Sequence, residues 1–549
     1  MTVRRLALLL ALAAPLGAPR AQTTVETGQG VYQALPAGAR SDVFVLDADA
    51  GTVFAGPQLV IIPDDGAPRF AADDPAFDPR TAIDPRAFAI DAETRDGQQA
   101  VWVGLGFADT VIDAEEPPAT AAGFAISTDG GASWQYRPPP LDETRDTTVF
   151  VGDNALLAIP FTVPQDAAPL DVAIAPGDTV YSANRSAGLR RTTDGGRTWR
   201  RIVLPPDSLS VLDPREPQSF IYAPQGAIIP GGTVESPNRS TEALNFFAIS
   251  LTIGEDSTVW VGTASGLNRS VRLPGVEDLA WIRYLDSPFG NAPIGNAILA
   301  LETRPVEGAP DEIWVACQPS VDDRFNEDEE SGITVWTGDD AEGRAQFDTR
   351  LLGVRVFDLA FDGGRAYAAS DEGLYVADDA SQDVWRVVRV FQGPDGAPLP
   401  IPEDTGVFAV AATPGTVWAG TPEGLLRSDD AGASWTLLRT NLAPGVPFRD
   451  GDDTPDVDVY AYPNPFTPRT DGFARVRFDL PAAADVTVRV FDFGMRPVRT
   501  LEAPGRPAGP NEVLWDGQTD GGTRVANGAY IYVVDAGGDQ RSGKLLVFE

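Results

Sequence analysis

The sequence predicts an all-β chain in which a seven-bladed β-propeller is followed by a small β-sandwich. The first observation is a strand motif that recurs seven times between residues 40 and 440. The second is the high content of turn formers, because 55 Gly and 48 Pro among 549 residues suit many short strands joined by turns. The third is the change beyond residue 459, where the motif stops and short strands with alternating apolar and polar residues begin.

The recurring motif is a β-rich pair of residues, often with Trp, followed by small residues. Its seven copies lie at 53–56, 101–104, 180–183, 259–262, 313–316, 366–369 and 417–420. An apolar strand precedes each copy, near 42–48, 87–93, 170–175, 246–252, 297–303, 354–361 and 407–412. A third strand opening with Gly follows six of them, at Gly123, Gly188, Gly266, Gly332, Gly373 and Gly424. A fourth strand completes a four-stranded meander, and seven meanders arranged radially make a propeller. Misreading a 79-residue interval would change the count to six or eight blades.

Three units share one turn between the third and fourth strands. In this turn an Asp carboxylate accepts backbone N–H groups, a Gly supplies positive φ, and a Trp opens the next strand and packs on a neighbouring sheet. The residues concerned are Ser127, Asp129, Gly131, Trp134, Thr192, Asp194, Gly196, Trp199, Ser428, Asp430, Gly432 and Trp435. These segments resemble the Asp-box (BNR) repeats of sialidase-like and sortilin-like propellers. The resemblance implies a structural role for the turn in enzymes and non-enzymes alike.

The charge and the missing residue types exclude several functions. The net charge of −37 opposes binding to nucleic-acid phosphates or anionic membranes. Without His there is no Ser–His or Cys–His nucleophile pair and no His-bound zinc. The one Cys, Cys317, ends a predicted inner strand, where we expect a small buried hydrophobe.

The N-terminus predicts export. Residues 1–21 have two Arg, a short apolar run and a small residue at Ala21, as in a secretory signal peptide. The apolar run is too short to span a bilayer, so we expect a secreted or cell-surface protein without a membrane span in the mature chain.

Two insertions mark the predicted binding face. They lengthen the connection between the second and third strands of two blades, and their acidic residues are Asp109, Asp113, Glu115, Glu116, Asp322, Asp323, Glu327, Asp328, Glu329 and Glu330. Long inter-blade segments near 139–168 and 203–245 join them on that face. These carboxylates form either a face organised by Ca²⁺ or solvated acidic loops, and the second interpretation is favoured. Four alternating aspartates in the linker (Asp450, Asp452, Asp456 and Asp458) match a calcium loop still less well. We expect no other cofactor.

Catalysis is disfavoured but left open. A glycosidase needs two carboxylates at a defined separation, and the sequence selects no pair from 79 acidic residues. The F/Y-R-I-P motif of sialidases is absent from the sequence. We therefore name no catalytic residue.

The C-terminal region has its own motifs. An Asp-, Pro- and Gly-rich linker at 444–458 separates the propeller region, 22–443, from residues 459–549. The later segment contains Tyr-Pro-Asn-Pro-Phe from Tyr462, Trp-Asp-Gly from Trp515 and a closing strand from Lys544. It resembles the FlgD-type Ig-like domain and the type A sorting domain of type IX secretion cargo. The resemblance implies an Ig-like β-sandwich that engages secretion machinery.

These features together predict an exported binding or interaction protein. Its ligand would be a glycan or a protein held on the long-loop face, and the Ig-like domain would deliver or attach the chain. Two alternatives stay open. One is a glycoside hydrolase of the sialidase-like clan, and the other is an envelope assembly factor or scaffold with an exposed apolar patch.

Overall fold

A computed structural model describes residues 43–438 and 459–548, together with the short paired strands Thr24–Glu26 and Val31–Gln33. Within these ranges the description excludes 58, 64–68, 72–76, 78–85, 109–118, 166, 224–243, 288–289, 321–328, 395, 397, 400, 402–404 and 507. The predicted signal peptide, the predicted linker and its four alternating aspartates lie outside the described residues. The chain divides into two compact units, one holding residues 43–438 and the other residues 459–548. The predicted fold class is confirmed in both units.

The first unit is built from seven antiparallel sheets, each formed by consecutive strands. Blade 1 contains Val45–Asp49, Thr52–Gly56, Val60–Pro63 and Arg69–Phe70. Blade 2 contains Arg86–Arg95, Gln98–Ala108, Ala119–Ser127 and Gln135–Arg137. Blade 3 contains Pro169–Ala175, Thr179–Asn184, Leu189–Thr192 and Arg200–Ile202. Blade 4 contains Ala248–Ile253, Val259–Thr263, Gly266–Val271 and Ala280–Tyr284, with Val211–Leu212 as a fifth, outer strand.

The remaining blades have four strands each. Blade 5 contains Ala297–Arg304, Glu312–Gln318, Gly332–Asp339 and Ala345–Arg350. Blade 6 contains Val356–Asp362, Arg365–Ser370, Gly373–Ala377 and Arg386–Val388. Blade 7 contains Ala409–Thr413, Thr416–Thr421, Gly424–Ser428 and Thr436–Leu438. A hairpin of Thr148–Val151 and Asn154–Leu157 follows blade 2, and a short 3-10 helix, Leu244–Phe246, precedes blade 4.

The seven blades form a closed ring. The first strand of each blade, called its inner strand from here on, contacts the inner strands of the blades before and after it, and blade 7 contacts blade 1. The Val43 backbone N–H donates to the Thr421 carbonyl of blade 7 over 2.9 Å, which joins the two ends of the ring. One apolar cluster spans the same junction, with Leu46 and Val53 from blade 1 and Trp418 from blade 7.

Buried aromatic side chains fill the spaces between blades. Trp260, Trp314 and Trp418 lie at the same point of three second strands and are at most 1% exposed. Burying a side chain of this size removes about 150–250 Å² from water, a contribution of about 4–6 kcal/mol before conformational entropy is subtracted. The repeated motif that predicts the strands therefore also contributes to the packing between blades.

The second unit is a two-layer β-structure. One sheet holds Val459–Tyr462, Ala474–Leu480 and Gly509–Trp515, and the other holds Pro497–Arg506, Ala484–Asp492, Gly528–Ala536 and Asp539–Val547. A one-turn helix, Pro468–Asp471, lies between the first two of these strands. Residues from both sheets share one apolar core around Val488, Phe466 and Trp515, each at most 1% exposed. Among the described residues, no helix combines the length and apolarity needed to cross a bilayer.

Candidate functional site in the propeller channel

The strand order separates the two faces of the propeller. Each inner strand starts on the face that also carries the connections from the second to the third strand, called the loop face from here on. The turns between the first and second strands and between the third and fourth strands lie on the opposite face. The predicted Asp-box turns therefore lie away from the predicted binding face.

The three turns predicted as Asp-boxes have the same hydrogen bonds. In blade 7 the Ser428 hydroxyl donates to Asp430 Oδ1 over 2.7 Å and accepts the Gly432 N–H over 2.8 Å. Asp430 also accepts the backbone N–H and the hydroxyl of Ser434, over 2.8 and 2.6 Å. Ser127, Asp129 and Gly131 repeat this arrangement in blade 2, and Thr192, Asp194 and Gly196 repeat it in blade 3.

These bonds favour the ionised carboxylates. For Asp194 the hydrogen bonds from Thr198 lower the pKa to about 2. For Asp430 burial opposes ionisation, but the bonds from Ser434 and Ser428 outweigh it and also lower the pKa to about 2. For Asp129 burial again opposes ionisation, but the bonds from Ser133 outweigh it and lower the pKa. The carboxylates are occupied within their own turns, so we assign them no chemistry.

Each of these turns is also held by the preceding blade. Arg69 of blade 1 donates to the carbonyls of Gly131 and Gly130, the Arg137 Nε of blade 2 donates to Gly195 over 2.8 Å, and Arg386 of blade 6 donates to Ala431 over 2.7 Å. The motif tryptophans pack toward the same side. Trp134 meets Phe77 edge-on, Trp199 stacks on Phe124 of blade 2, and Trp435 meets Phe391 edge-on. The sequence motif did not indicate the arginines, because they precede it by about 45 to 62 residues.

Residues from the inner strands of all seven blades line a central channel with a volume of about 1010 Å³. Seven apolar side chains, one from the start of each inner strand, line it near the loop face. They are Phe44, Phe88, Leu170, Ile249, Leu299, Phe357 and Phe408. In five blades this residue is skipped in the pairing with the second strand, so that a β-bulge offsets it from the ladder. We call this set the apolar rim.

Aromatic rings are concentrated on one side of the rim. Phe357 and Phe408 stack with centroids 5.2 Å apart, and Phe408 meets Phe44 edge-on at 5.3 Å. These rings come from blades 6, 7 and 1, which are neighbours in the ring. The rim therefore presents a partly exposed aromatic surface at the loop-face end of the channel.

Four aspartates on the channel wall join neighbouring blades. Asp47, Asp91, Asp171 and Asp358 accept the backbone N–H of Ala92, Ile174, Leu251 and Val410, over 2.5, 2.5, 2.6 and 2.9 Å. The accepting aspartate always belongs to the preceding blade. An inner strand is a sheet edge whose outward N–H groups have no ladder partner, and these carboxylates supply one.

Burial raises the pKa of these aspartates. Desolvation is the largest cause, and it brings the pKa of Asp47, Asp171 and Asp358 to about 7 despite the bonds from backbone N–H groups. Asp91 is shifted in the same direction, first by desolvation and then by the charge of Asp47. The channel therefore holds weak acids that titrate near neutral pH.

Glu302 of blade 5 has no such bond. It lies three residues after its rim residue, as Asp47 and Asp91 do, and its carboxyl group faces the channel. Within the described part of the chain it makes no hydrogen bond or ion pair. Desolvation raises its pKa well above the ordinary value, and the nearby carboxylates of Asp358, Asp47, Asp91 and Asp171 raise it further.

The predicted acidic insertions are seen only at their edges. Eight of the ten acidic residues, Asp109 to Glu116 and Asp322 to Asp328, lie outside the described residues. Glu329 accepts the Asn296 amide over 2.8 Å and the Ser320 N–H over 2.5 Å, so it fixes the end of its loop. Among the described residues, no three acidic, Cys or His side chains are grouped so that they could hold a metal ion. Cys317 is buried, and desolvation raises its pKa to about 11.

Sequence reasoning missed the channel acids. The available signal was an acidic residue inside five of the seven apolar strands predicted to be innermost, as in Val45-Leu46-Asp47 and Phe357-Asp358-Leu359. An acidic side chain in a strand with few other polar positions needs a partner. For the four aspartates the partner is a backbone group of the next blade.

Comparison with known proteins identifies part of the second unit. Residues 465–540 match the FlgD Ig-like domain, so this unit carries a FlgD-type Ig-like domain. No protein with a curated description matches the chain.

Solved structures show weak likeness over longer stretches. PorZ, described as an essential surface component of the type-IX secretion system of Porphyromonas gingivalis, is 14% identical, with a TM-score of 0.37, 96% of this chain covered and 67% of that one. YCF48 from Cyanidioschyzon merolae is 15% identical, with a TM-score of 0.30 and coverages of 63% and 96%. The extracellular domain of the hybrid two-component system BT3049 from B. thetaiotaomicron is 10% identical, with a TM-score of 0.25 and coverages of 96% and 84%. These likenesses are too weak to carry a functional argument.

Proposed function

We propose that this chain is an exported surface protein whose propeller binds a glycan or protein ligand at the loop-face end of its channel. The observation that carries the proposal is the roomy channel behind a rim of partly exposed aromatic rings. Apolar walls combined with a few polar groups are typical of ligand sites. The predicted signal peptide supports export.

The state of the channel carboxyls favours binding over hydrolysis. A glycosidase needs two carboxyl groups free to act on the substrate, one as acid and one as base or nucleophile. Asp47, Asp91, Asp171 and Asp358 each accept a backbone N–H from the next blade, and Glu302 is the one acid of the set without a partner in the described channel wall. Moving any of the four aspartates toward a substrate would break an inter-blade bond.

We propose that the Ig-like unit delivers or attaches the propeller, as the resemblance to secretion sorting domains implies. The intact mass of the protein recovered from its host tests this role. A product that starts near Gln22 and ends near residue 455 would indicate a removed sorting domain. A product that retains the Ig-like unit would instead favour permanent attachment.

Glycan and peptide arrays test the binding proposal. Residues 22–549 are expected to bind a defined set of probes, and Phe408→Ala is expected to weaken that binding by about tenfold or more, because it removes the ring shared by both aromatic contacts. Phe493→Ala is the matched control, because Phe493 belongs to the Ig-like unit and is 80% exposed. Release of reducing sugar from bound glycans would overturn the proposal, as would equal binding by wild type and Phe408→Ala.

A further inference from the structure

The channel lining is predominantly acidic. Its described lining contains the acidic residues Asp47, Asp91, Glu93, Asp171, Glu255, Glu302 and Asp358. Arg95 is the one basic residue of this described lining. It is already paired with Glu93 over 2.5 Å and with the Ala175 carbonyl over 2.7 Å. No described cation of the wall is therefore left to balance the remaining carboxyls.

Glu302 differs from the four wall aspartates in what it does for the fold. The four aspartates each bond the next blade, whereas Glu302 bonds nothing in the described structure. Glu302 is half-buried in the channel wall, and desolvation there raises the pKa of its carboxyl group. A carboxyl group enclosed in this way without a partner is costly once ionised. The described fold offers this carboxylate no hydrogen bond, so once ionised it is left to water or to a bound partner.

The chemistry of that partner follows from the carboxyl groups of the channel wall and from the aromatic rings of the apolar rim. A carboxylate prefers a cationic hydrogen-bond donor, and aromatic faces attract organic cations. Aliphatic stems of basic side chains also pack well on apolar walls such as the rim. The described acids are not grouped as metal ligands, which leaves an ammonium or guanidinium group.

We propose that the channel receives an ammonium or guanidinium group, which enters past the apolar rim and pairs with Glu302. This inference rests on the proposed binding function and specifies the ligand chemistry at the same site. A basic side chain of a protein ligand and a free amine share this chemistry. Because Asp358, Asp47, Asp91 and Asp171 also face Glu302, the bound cation would meet several weak acids and displace protons from them.

Calorimetry on residues 22–549 at about pH 7, where the channel aspartates are partly protonated, tests the proposal with cadaverine, agmatine, a Lys- and Arg-containing peptide, sorbitol and CaCl₂ as probes. At least one cationic organic probe is expected to bind, and Glu302→Gln is expected to weaken it by about tenfold or more. Glu342→Gln is the matched control, since it makes the same change at an exposed side chain paired with Arg344. A preference for the peptide over the free amines would identify a protein as the source of the cation.

A second measurement does not depend on any variant. Binding of a cation next to raised-pKa carboxyls releases protons, so the apparent heat should differ between two buffers of different ionisation enthalpy. Absence of binding by every organic cation would overturn the inference, as would unchanged affinity in Glu302→Gln or saturable binding of Ca²⁺ at Glu302. If the arrays yield a neutral ligand while all amines fail, the cation inference falls and the proposed binding function stands.

Discussion

The aspartates of the channel wall predict an unusual dependence of propeller stability on pH, and Asp171 is the best residue for testing it. Asp171 accepts the N–H of Val172 over 2.8 Å and that of Leu251 in the next blade over 2.6 Å. Desolvation raises its pKa from 3.8 to about 7, with a smaller contribution from the charge of Asp91.

The sign follows from proton binding. Between the unfolded pKa of 3.8 and the folded pKa of about 7, the folded state holds the proton more often than the unfolded chain. Asp171 therefore contributes stability that is complete below about pH 4 and is lost as the pH rises through about 7. One such proton changes the free energy of unfolding by at most about 1.4 kcal/mol per pH unit, and water in the channel reduces this limit.

Urea unfolding followed by tryptophan fluorescence at several pH values measures the effect. Asp171→Asn is expected to cost about 1 kcal/mol at low pH, because an amide replaces one of the two acceptor oxygens. Between about pH 5 and 6 its stability should fall less steeply than that of wild type, by up to about 1.4 kcal/mol per pH unit. Asp153→Asn, at an exposed position in a hairpin turn, controls for the change in net charge. Identical pH slopes for Asp171→Asn and wild type would refute the reasoning.

Three further substitutions test other parts of the structure by urea unfolding. Asp430→Ala removes the acceptor of the Ser428, Ala433 and Ser434 bonds and should lower the free energy of unfolding by about 2–4 kcal/mol. Its control is the adjacent, exposed Asp429→Ala, which should lower it by under about 1 kcal/mol. Equal losses in the two variants would contradict a structural role for the turn. Gly262→Ala would place a Cβ 2.5 Å from Ile298 of the next blade and should cost about 1–3 kcal/mol, while Gly364→Ala, with open space around it, serves as its control. Trp515→Ala should destabilise the Ig-like unit by about 3–5 kcal/mol, because the ring is 1% exposed and its Nε1–H donates to the Gln518 carbonyl. Phe493 is 80% exposed, so a loss in Trp515→Ala no larger than that in Phe493→Ala would contradict the burial of the Trp515 ring in the core.

The strands of the propeller were predictable because their signals are local and repeated. Each second strand shows β-branched or aromatic residues before small ones, and the small residues are needed where neighbouring blades approach. At Gly262 a Cβ would overlap Ile298, and at Gly104 it would lie 2.6 Å from Pro169. The 79-residue intervals on either side of blade 3 contain a hairpin and an added outer strand instead of another blade. Strand pairing in the structure therefore sets the number of blades at seven, and no local sequence pattern indicates this pairing.

The candidate site was less predictable, because its residues act across blades. Asp91 and its partner Ile174 are 83 residues apart, and Asp171 and Leu251 are 80 apart. Nothing near either residue in sequence indicates the contact. The rim depends on β-bulges, which place Phe88 and Phe357 outside the regular pairing and cannot be distinguished from ordinary strand residues by their sequence pattern. The sequence instead points to the two insertions, because ten acidic residues are concentrated there.

The arrangement of the wall acids explains why structure and binding can share one channel. An aspartate is short enough to reach the N–H of the next inner strand, and four of the blade junctions use it in this way. At the junction after blade 4 two side chains join the inner strands instead, since the hydroxyl groups of Thr252 and Thr303 are hydrogen-bonded over 2.7 Å. Blade 5 carries the longer Glu302, which forms no such bond in the described structure and so does not join blades. Five other junctions of the ring use aspartate or threonine, so the described structure gives this glutamate no role in joining blades, and the proposed ligand recognition would give it one.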